Sequence, residues 1–213
     1  MKTVIMISGK LQSGKNTFAD ALNKELSKDH TVVQDMFAKD VKEQCAKHFA
    51  PLGRVLKQIK DGIGDDCLEN TKWLPLYSEN WNDLDLDYEN FFEDKTPISR
   101  ALLQIFGTNI VRGMISDRYW IDCIEKRTRE EEFDFKLISD LRFKNEMDAF
   151  QDEDLRVITI RVEREMDRTA LENEHESEKD LDDCKYFDYI VDNNGTLSDL
   201  EDAVRAIIED LKE

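Results

Sequence analysis

Residues 7–19 read ISGKLQSGKNTFA and lie directly behind the first apolar run of the chain. Gly9, Lys10, Leu11, Gln12, Ser13, Gly14 and Lys15 fit the pattern GxxxxGK. Glycines let a backbone wrap tightly enough for successive N–H groups to point inward at phosphate oxygens, and the lysine reaches the β- and γ-phosphates. The pattern alone is common, so its context matters. TVIMIS at 3–8 is a β-branched run of the kind that forms a buried strand. Phe18, Ala21, Leu22 and Leu26 follow at helical spacing. Strand, glycine loop, helix is the order that presents a helix N-terminus to an anion.

One position departs from the pattern. Asn16 stands where a serine or threonine hydroxyl usually coordinates Mg²⁺, and Thr17 follows one place later. An amide oxygen can coordinate a metal or hold a metal-bound water. The Thr17 hydroxyl is available to a phosphate.

The same alternation runs on along the chain. TVVQDMFA (31–38) predicts a second strand, with a helix over 39–49. TPISRALLQIFGTNIVRGMI (96–115) has Pro97 at a helix start and Leu102, Leu103, Phe106 and Ile110 at helical spacing, and RYWIDCIEKRTREEE (118–132) predicts a further helix with Trp120, Ile121 and Ile124 inward. FKLISD (135–140), LRVITIR (155–161) and FDYIVDN (187–193) read as strands. The last helix carries Leu197, Leu200, Val204, Ile207, Ile208 and Leu211 in a 3-4 repeat, with Thr196 as its N-cap. Strands alternating with helices predict an α/β fold, a parallel sheet with helices on both faces. In such sheets ligands bind beyond the carboxyl ends of the strands, where Gly9, Asp140 and Arg161 fall. Residues 57–94 break the alternation: no lysine or arginine occurs between Lys72 and Lys95. That stretch reads as a solvated insertion or as a substrate cap carrying aromatic residues.

Composition narrows the function. The 213-residue chain has a formal net charge of -18. So acidic a surface repels a polyphosphate backbone and argues against a nucleic acid polymer as partner. A mononucleotide, in contrast, needs only a few converging cations. No apolar run approaches the roughly 18 residues of a membrane span, and the N-terminus has too short an apolar stretch for a secretory signal, so the expected location is cytoplasmic. Cys45, Cys67, Cys123 and Cys184 form no CxxC pair and do not cluster with His30, His48 or His175, which argues for reduced thiols rather than zinc or disulfides.

Asp140 ends an apolar strand, the Walker B arrangement, where a carboxylate holds Mg²⁺ through water or orients the acceptor; Arg142 follows two residues on. Arg100 and Arg112 flank the stretch ALLQIFGTNIV (101–111), and Arg161, Arg164 and Arg168 lie in the charged segment after a strand. Arginines at strand ends suit bidentate phosphate recognition, and phosphoryl transfer asks for positioning and charge neutralisation above all. His175, in NEHESE beside Glu178, reads as a positioning or latching residue rather than a general base.

At this point the sequence resembles the phage-type deoxynucleoside monophosphate kinases, P-loop enzymes of the nucleoside monophosphate kinase superfamily. The segments carrying the resemblance are SGKLQSGKNTFA, FAKDVKE, TPISRALLQIFGTNIVR, DRYWID, ISDLRFKNE, HESE and VDNNGTLSDL, in the family's order along nearly the whole chain. ISDLRFKNE and LLQIFGTNIVR are the most diagnostic. Family members often carry an acidic residue at the position of Asn16 and proline at that of Lys144. The resemblance implies a P-loop kinase domain spanning 1–213. Its core is 1–50, 97–161 and 186–213, with an NMP-binding insertion at about 51–96 and an arginine-rich lid at about 162–185. It implies transfer of the ATP γ-phosphate to a deoxynucleoside monophosphate, with Mg²⁺ as cofactor. Lys15, Asp140 and Arg142 would be catalytic. ATP would be held by Gly9, Lys10, Gln12, Ser13, Gly14, Lys15, Asn16, Thr17, Asn194 and Gly195, with the last two near the adenine. The acceptor would meet Phe37, Lys42, Arg100, Gln104, Arg112, Trp120, Arg142 and Glu146. Arg161, Arg164, Arg168 and His175 would belong to the lid, and Asn16 and Asp140 to the metal, the latter through water. Relatives of this kind, together with the amphipathic last helix, leave a homodimer open.

Two other readings compete. One is a P-loop kinase for another small phosphorylated metabolite; the discriminator is a base slot lined by residues such as Phe37, Trp120 or Phe143. The other is a non-catalytic ATP-binding module, which predicts no acceptor-dependent turnover.

Overall fold

The computed structural model describes residues 1–47, 102–150, 154–165 and 179–211. Arg100, Arg168, His175 and the insertion expected at 51–96 lie outside the described residues. The chain divides into two compact units. One comprises Met1–Ala38 and Arg118–Glu213, the other Lys39–Asp117.

The first unit is built on a five-stranded parallel sheet. Its strands are β1 (Lys2–Ser8), β2 (Val32–Asp35), β3 (Phe135–Leu141), β4 (Leu155–Glu163) and β5 (Tyr189–Asp192), in the spatial order β2-β3-β1-β4-β5. The most apolar strand is central: Val4, Ile5, Met6 and Ile7 of β1 are all fully buried. Successive side chains of a strand face opposite ways, and β1 accordingly feeds two cores. Ile5 and Ile7 pack with Phe18, Leu22 and Leu26 of α1 (Lys15–Leu26) and with Leu200, Val204 and Ile207 of a C-terminal helix, Leu197–Asp210. Val4 and Met6 pack with Ile121 and Ile124 of a helix at Tyr119–Glu130, together with Phe37, Ile138 and Leu141. Burying each such side chain contributes about 1.5–3 kcal/mol. The inward set Trp120, Ile121 and Ile124 is as the helical spacing predicts.

Thr196 caps the C-terminal helix as expected. Its hydroxyl accepts from Asp199 N at 3.3 Å, and the Asp199 carboxylate accepts from Thr196 N at 2.7 Å. That hydrogen bonding holds the Asp199 carboxyl below its ordinary value. At the edge of the sheet, Asp35 at the end of β2 takes a bidentate pair from Arg127, at 2.9 and 3.0 Å, and a contact at 2.9 Å from the fully buried Lys136, which also meets Glu131.

β2 is shorter than the run 31–38 suggests, because the chain turns at Phe37 and enters a helix that occupies 38–47. In the second unit, the segment expected to be an α-helix winds as a π-helix over Ile105–Ile115, with Ser116 N donating to Val111 O at 2.9 Å. Gly107 and Gly113 within it weaken the preference for an ordinary α-helix. No described helix is long and apolar enough to cross a membrane.

Register brings the carboxyl ends of three strands together, pairing Ser8 with both Leu141 and Arg161. The chain leaves β1 toward β2 on one side, while β4, on the other side of β1, leads to β5. In parallel sheets, neighbouring strands with divergent exits mark the ligand-binding end, and the loop at 9–14 follows β1 at that end.

Candidate phosphate-binding site

The loop between β1 and α1 depends on its glycines for two different reasons. At Gly9 the reason is space: a Cβ would lie 2.4 Å from Ser13 Oγ and 2.7 Å from the backbone oxygen of Val162. At Gly14 it is also conformation, since φ is +87°, a left-handed value disfavoured for side-chain-bearing residues. A Cβ there would meet Asn193 Nδ2 at 2.1 Å. Gln12 is left-handed as well, at φ 63°. Ser13 N donates to Lys10 O at 3.1 Å, closing the loop. Left-handed residues such as those at 12 and 14 are what a backbone anion nest uses to turn N–H groups to one side.

Two features of the loop suit an anion. Ser13 Oγ is buried and has no hydrogen-bond partner among the described residues, a costly state that a ligand oxygen would relieve. The N-terminus of α1 has no capping side chain and no acidic residue in its first turn. Its positive dipole end therefore suits an anion. Asn16 and Thr17 are exposed in that turn, and Lys15 Nζ donates to Lys10 O at 3.2 Å, folded over the loop.

Neighbouring elements hold the loop from two sides. Asn193 Nδ2 donates to Ser13 O at 2.8 Å, tying the β5–helix connection to the loop. Asn194, predicted at the nucleotide, accepts from Glu165 N at 2.8 Å, and its own side-chain amide donates to Asp192 at 2.6 Å. Gly195 sits so close to Asp199 that a Cβ would lie 2.5 Å from Oδ2. On the other side, Arg161 is 9% exposed and donates to Ser8 Oγ at 3.2 Å and to Asp182 at 3.3 Å. Asp182 also takes Lys10 Nζ at 2.8 Å. Arg164 is exposed just past β4.

At the end of β3, Asp140 is partly buried and both of its oxygens accept backbone N–H groups, from Phe37 at 2.8 Å and Ala38 at 2.9 Å. Desolvation pushes its carboxyl up; these two bonds and the Arg142 charge oppose the shift, and Asp35 adds to it. Asp140 thus fixes the start of the helix at 38–47, whatever else it does. Glu146, 3% exposed, accepts from Arg142 N at 2.8 Å and Phe143 N at 3.0 Å and so shapes the backbone that carries Arg142.

Two residues expected at the acceptor are core residues instead. Phe37 is 4% exposed and Trp120 2%, so their ring faces are covered by protein. Lys42, Gln104 and Arg112 are partly buried and belong to the second unit. Asn193 lies within DNNGT (192–196), the stretch expected near the adenine, beside Asn194 and Gly195; Asp182 has no expected role, sitting in a run of charges with no periodicity to distinguish it.

The sequence model of the deoxynucleotide monophosphate kinase family matches residues 86–204, more than half of the chain. The loop at 9–15 lies outside that match, so its reading rests on the geometry above. No curated protein matches the sequence. Among solved structures, a dephospho-CoA kinase from Campylobacter jejuni is similar at 14% identity and a TM-score of 0.46, over 98% of this chain and 97% of that one. That level of similarity is too low to transfer anything from it. The family match covers more than half of the chain and agrees with a glycine loop on a parallel α/β sheet: the chain belongs to the deoxynucleotide monophosphate kinase family, phosphotransferases that act on nucleotides.

Proposed function

We propose that the protein transfers the γ-phosphate of ATP to a deoxynucleoside monophosphate, yielding ADP and the deoxynucleoside diphosphate. The observation that carries this is a buried Ser13 hydroxyl with no hydrogen-bond partner among the described residues, beside a helix N-terminus with no capping side chain. Lys15 would leave Lys10 O for the β- and γ-phosphates, while the N–H groups of 9–17 hold the donor in place. The adenine would lie toward Asn194 and Gly195. Preorganised donors of this sort stabilise the charge that develops during transfer without reorganising at that moment.

A magnesium ion suits these residues if it stays largely hydrated. Mg²⁺ is commonly held by one or two protein groups, substrate phosphates and waters rather than by an all-protein cage. Among the described residues no group of three or more His, Cys, Asp or Glu gathers, and the Asp140 oxygens already accept two N–H bonds. Asn16 would be the nearer ligand and Asp140 would act through water. When bound, the ion neutralises charge on the β- and γ-phosphates.

Family resemblance supports assigning the acceptor to Lys42, Arg100, Gln104 and Arg112, with Arg142 between acceptor and donor. On the same basis Arg164, Arg168 and His175 belong to a lid over about 162–185, and 51–96 to the acceptor-binding insertion; Arg161, expected in the lid, is instead a buried residue of β4. Phe37 and Trp120 are packed in the core of the first unit and are not assigned to the base. The test is ADP release with ATP and Mg²⁺ against dAMP, dGMP, dCMP, dTMP, the ribonucleotides and no acceptor. Acceptor-dependent turnover with at least one deoxynucleotide is expected. ATP binding with turnover on none of them would refute this acceptor class.

A further inference from the structure

Lys10 follows Gly9 in the loop and Arg161 pairs in register with Ser8 before it, and one carboxylate meets both cations. Asp182 Oδ2 takes Lys10 Nζ at 2.8 Å, and Oδ1 takes Arg161 Nη2 at 3.3 Å. Arg161 is further fixed by Ser8 Oγ at 3.2 Å and lies over the Phe187 ring, 5.7 Å from its centroid. Asp182 reaches this position from the segment before β5, far from the loop in sequence. A carboxylate and a phosphate are competing acceptors for the same ammonium and guanidinium donors.

We propose that Asp182 is an affinity-setting counter-ion of the phosphate site, occupying in the empty loop the cations that a nucleotide's phosphates take over. A triphosphate must either displace the carboxylate or bind beside a fixed negative charge. In both cases Asp182 weakens nucleotide binding, while it keeps Lys10 and Arg161 in place when no phosphate is present. The inference rests on the reading of the loop as an ATP phosphate site.

Because Asp182 is partly exposed, at 36% of its side chain, solvent screens the effect and only a moderate change is expected. Asp182→Asn removes the charge and keeps the shape. It should tighten ATP and ADP binding by roughly three- to tenfold at low ionic strength, and less at high salt. Asp183→Asn is the control: it removes the same charge one residue away, from an exposed side chain, and should change affinity by less than about twofold. Should the asparagine variant misfold, Asp182→Ala carries the same expectation. Binding is read by isothermal titration of ATP and ADP into the full chain. An Asp182 variant that binds no more tightly than Asp183→Asn, or more weakly than wild type, overturns the proposal. Wild-type protein that binds no ATP refutes the site itself, which is a separate result.

Discussion

Gly14→Ala tests whether the loop and the β5–helix connection are one mechanical unit. Two costs arise at this position. A side-chain-bearing residue at φ +87° is strained by about 1–2 kcal/mol, offset in part by about 0.4–1 kcal/mol from the stiffer unfolded chain. The new Cβ also falls 2.1 Å from Asn193 Nδ2. Asn193 can swing away, because the atom in conflict is the tip of a flexible side chain. In doing so it gives up its 2.8 Å hydrogen bond to Ser13 O, worth about 1 kcal/mol. The expected total is about 2 kcal/mol for Gly14→Ala and about 1 kcal/mol for Asn193→Ala. If both substitutions destroy the same bond, the double variant should cost little more than Gly14→Ala alone, leaving a coupling of about 1 kcal/mol. Urea unfolding of the wild type, both single variants and the double variant at one temperature measures the cycle. Strictly additive costs would refute the reasoning, since the Cβ at position 14 would then not be what breaks the Asn193 bond.

Lys15→Ala should lower phosphotransfer about 10²–10³-fold in folded protein, measured as acceptor-dependent ADP release; near-normal turnover would remove Lys15 from the donor site. Asp140→Ala should cost about 0.5–2 kcal/mol by freeing the two N–H groups at Phe37 and Ala38, with Asp140→Asn intermediate because one acceptor survives. In kinetics, Asp140→Asn should lower turnover more than ATP affinity, and an effect on affinity alone would argue against its place in catalysis. Burial pushes the Asp35 carboxyl up, but hydrogen bonds from Arg127 and Lys136 outweigh it and hold it below its ordinary value. A carboxyl lowered in the folded state contributes stability that is complete above its unfolded value, about pH 4, and is lost as pH falls through the folded value. Asp35→Asn should therefore destabilise by about 3 kcal/mol at neutral pH, by stripping a partner from the buried Lys136, and should flatten the loss of stability below about pH 4. Denaturant unfolding between pH 3 and 7 checks this, and parallel curves for variant and wild type would sink it.

Much of this protein is written locally. The β-branched run at 3–8, the glycines at 9 and 14, the spacing of Phe18, Leu22 and Leu26, and the Thr196 cap each declare their structure through short-range physics: strand period, permitted φ, helix period, N–H satisfaction. The alternation of strands and helices made a parallel sheet the natural assembly, and the ends of three of its strands fell where expected. What sequence left open depends on residues far apart in the chain. Whether Asp140 faces a metal or a helix start is decided by where the 35–38 turn docks. Whether Phe37 and Trp120 stack on a ligand or fill a core is decided by which faces the packed elements cover, and both aromatics look alike in a sequence. Asp182 shows the same limit most plainly. One acidic residue among 48, it becomes a counter-ion only because the fold brings it between Lys10 and Arg161. Local propensity acts over a few residues; charge pairing and burial act across space, and only the tertiary structure assigns those partners.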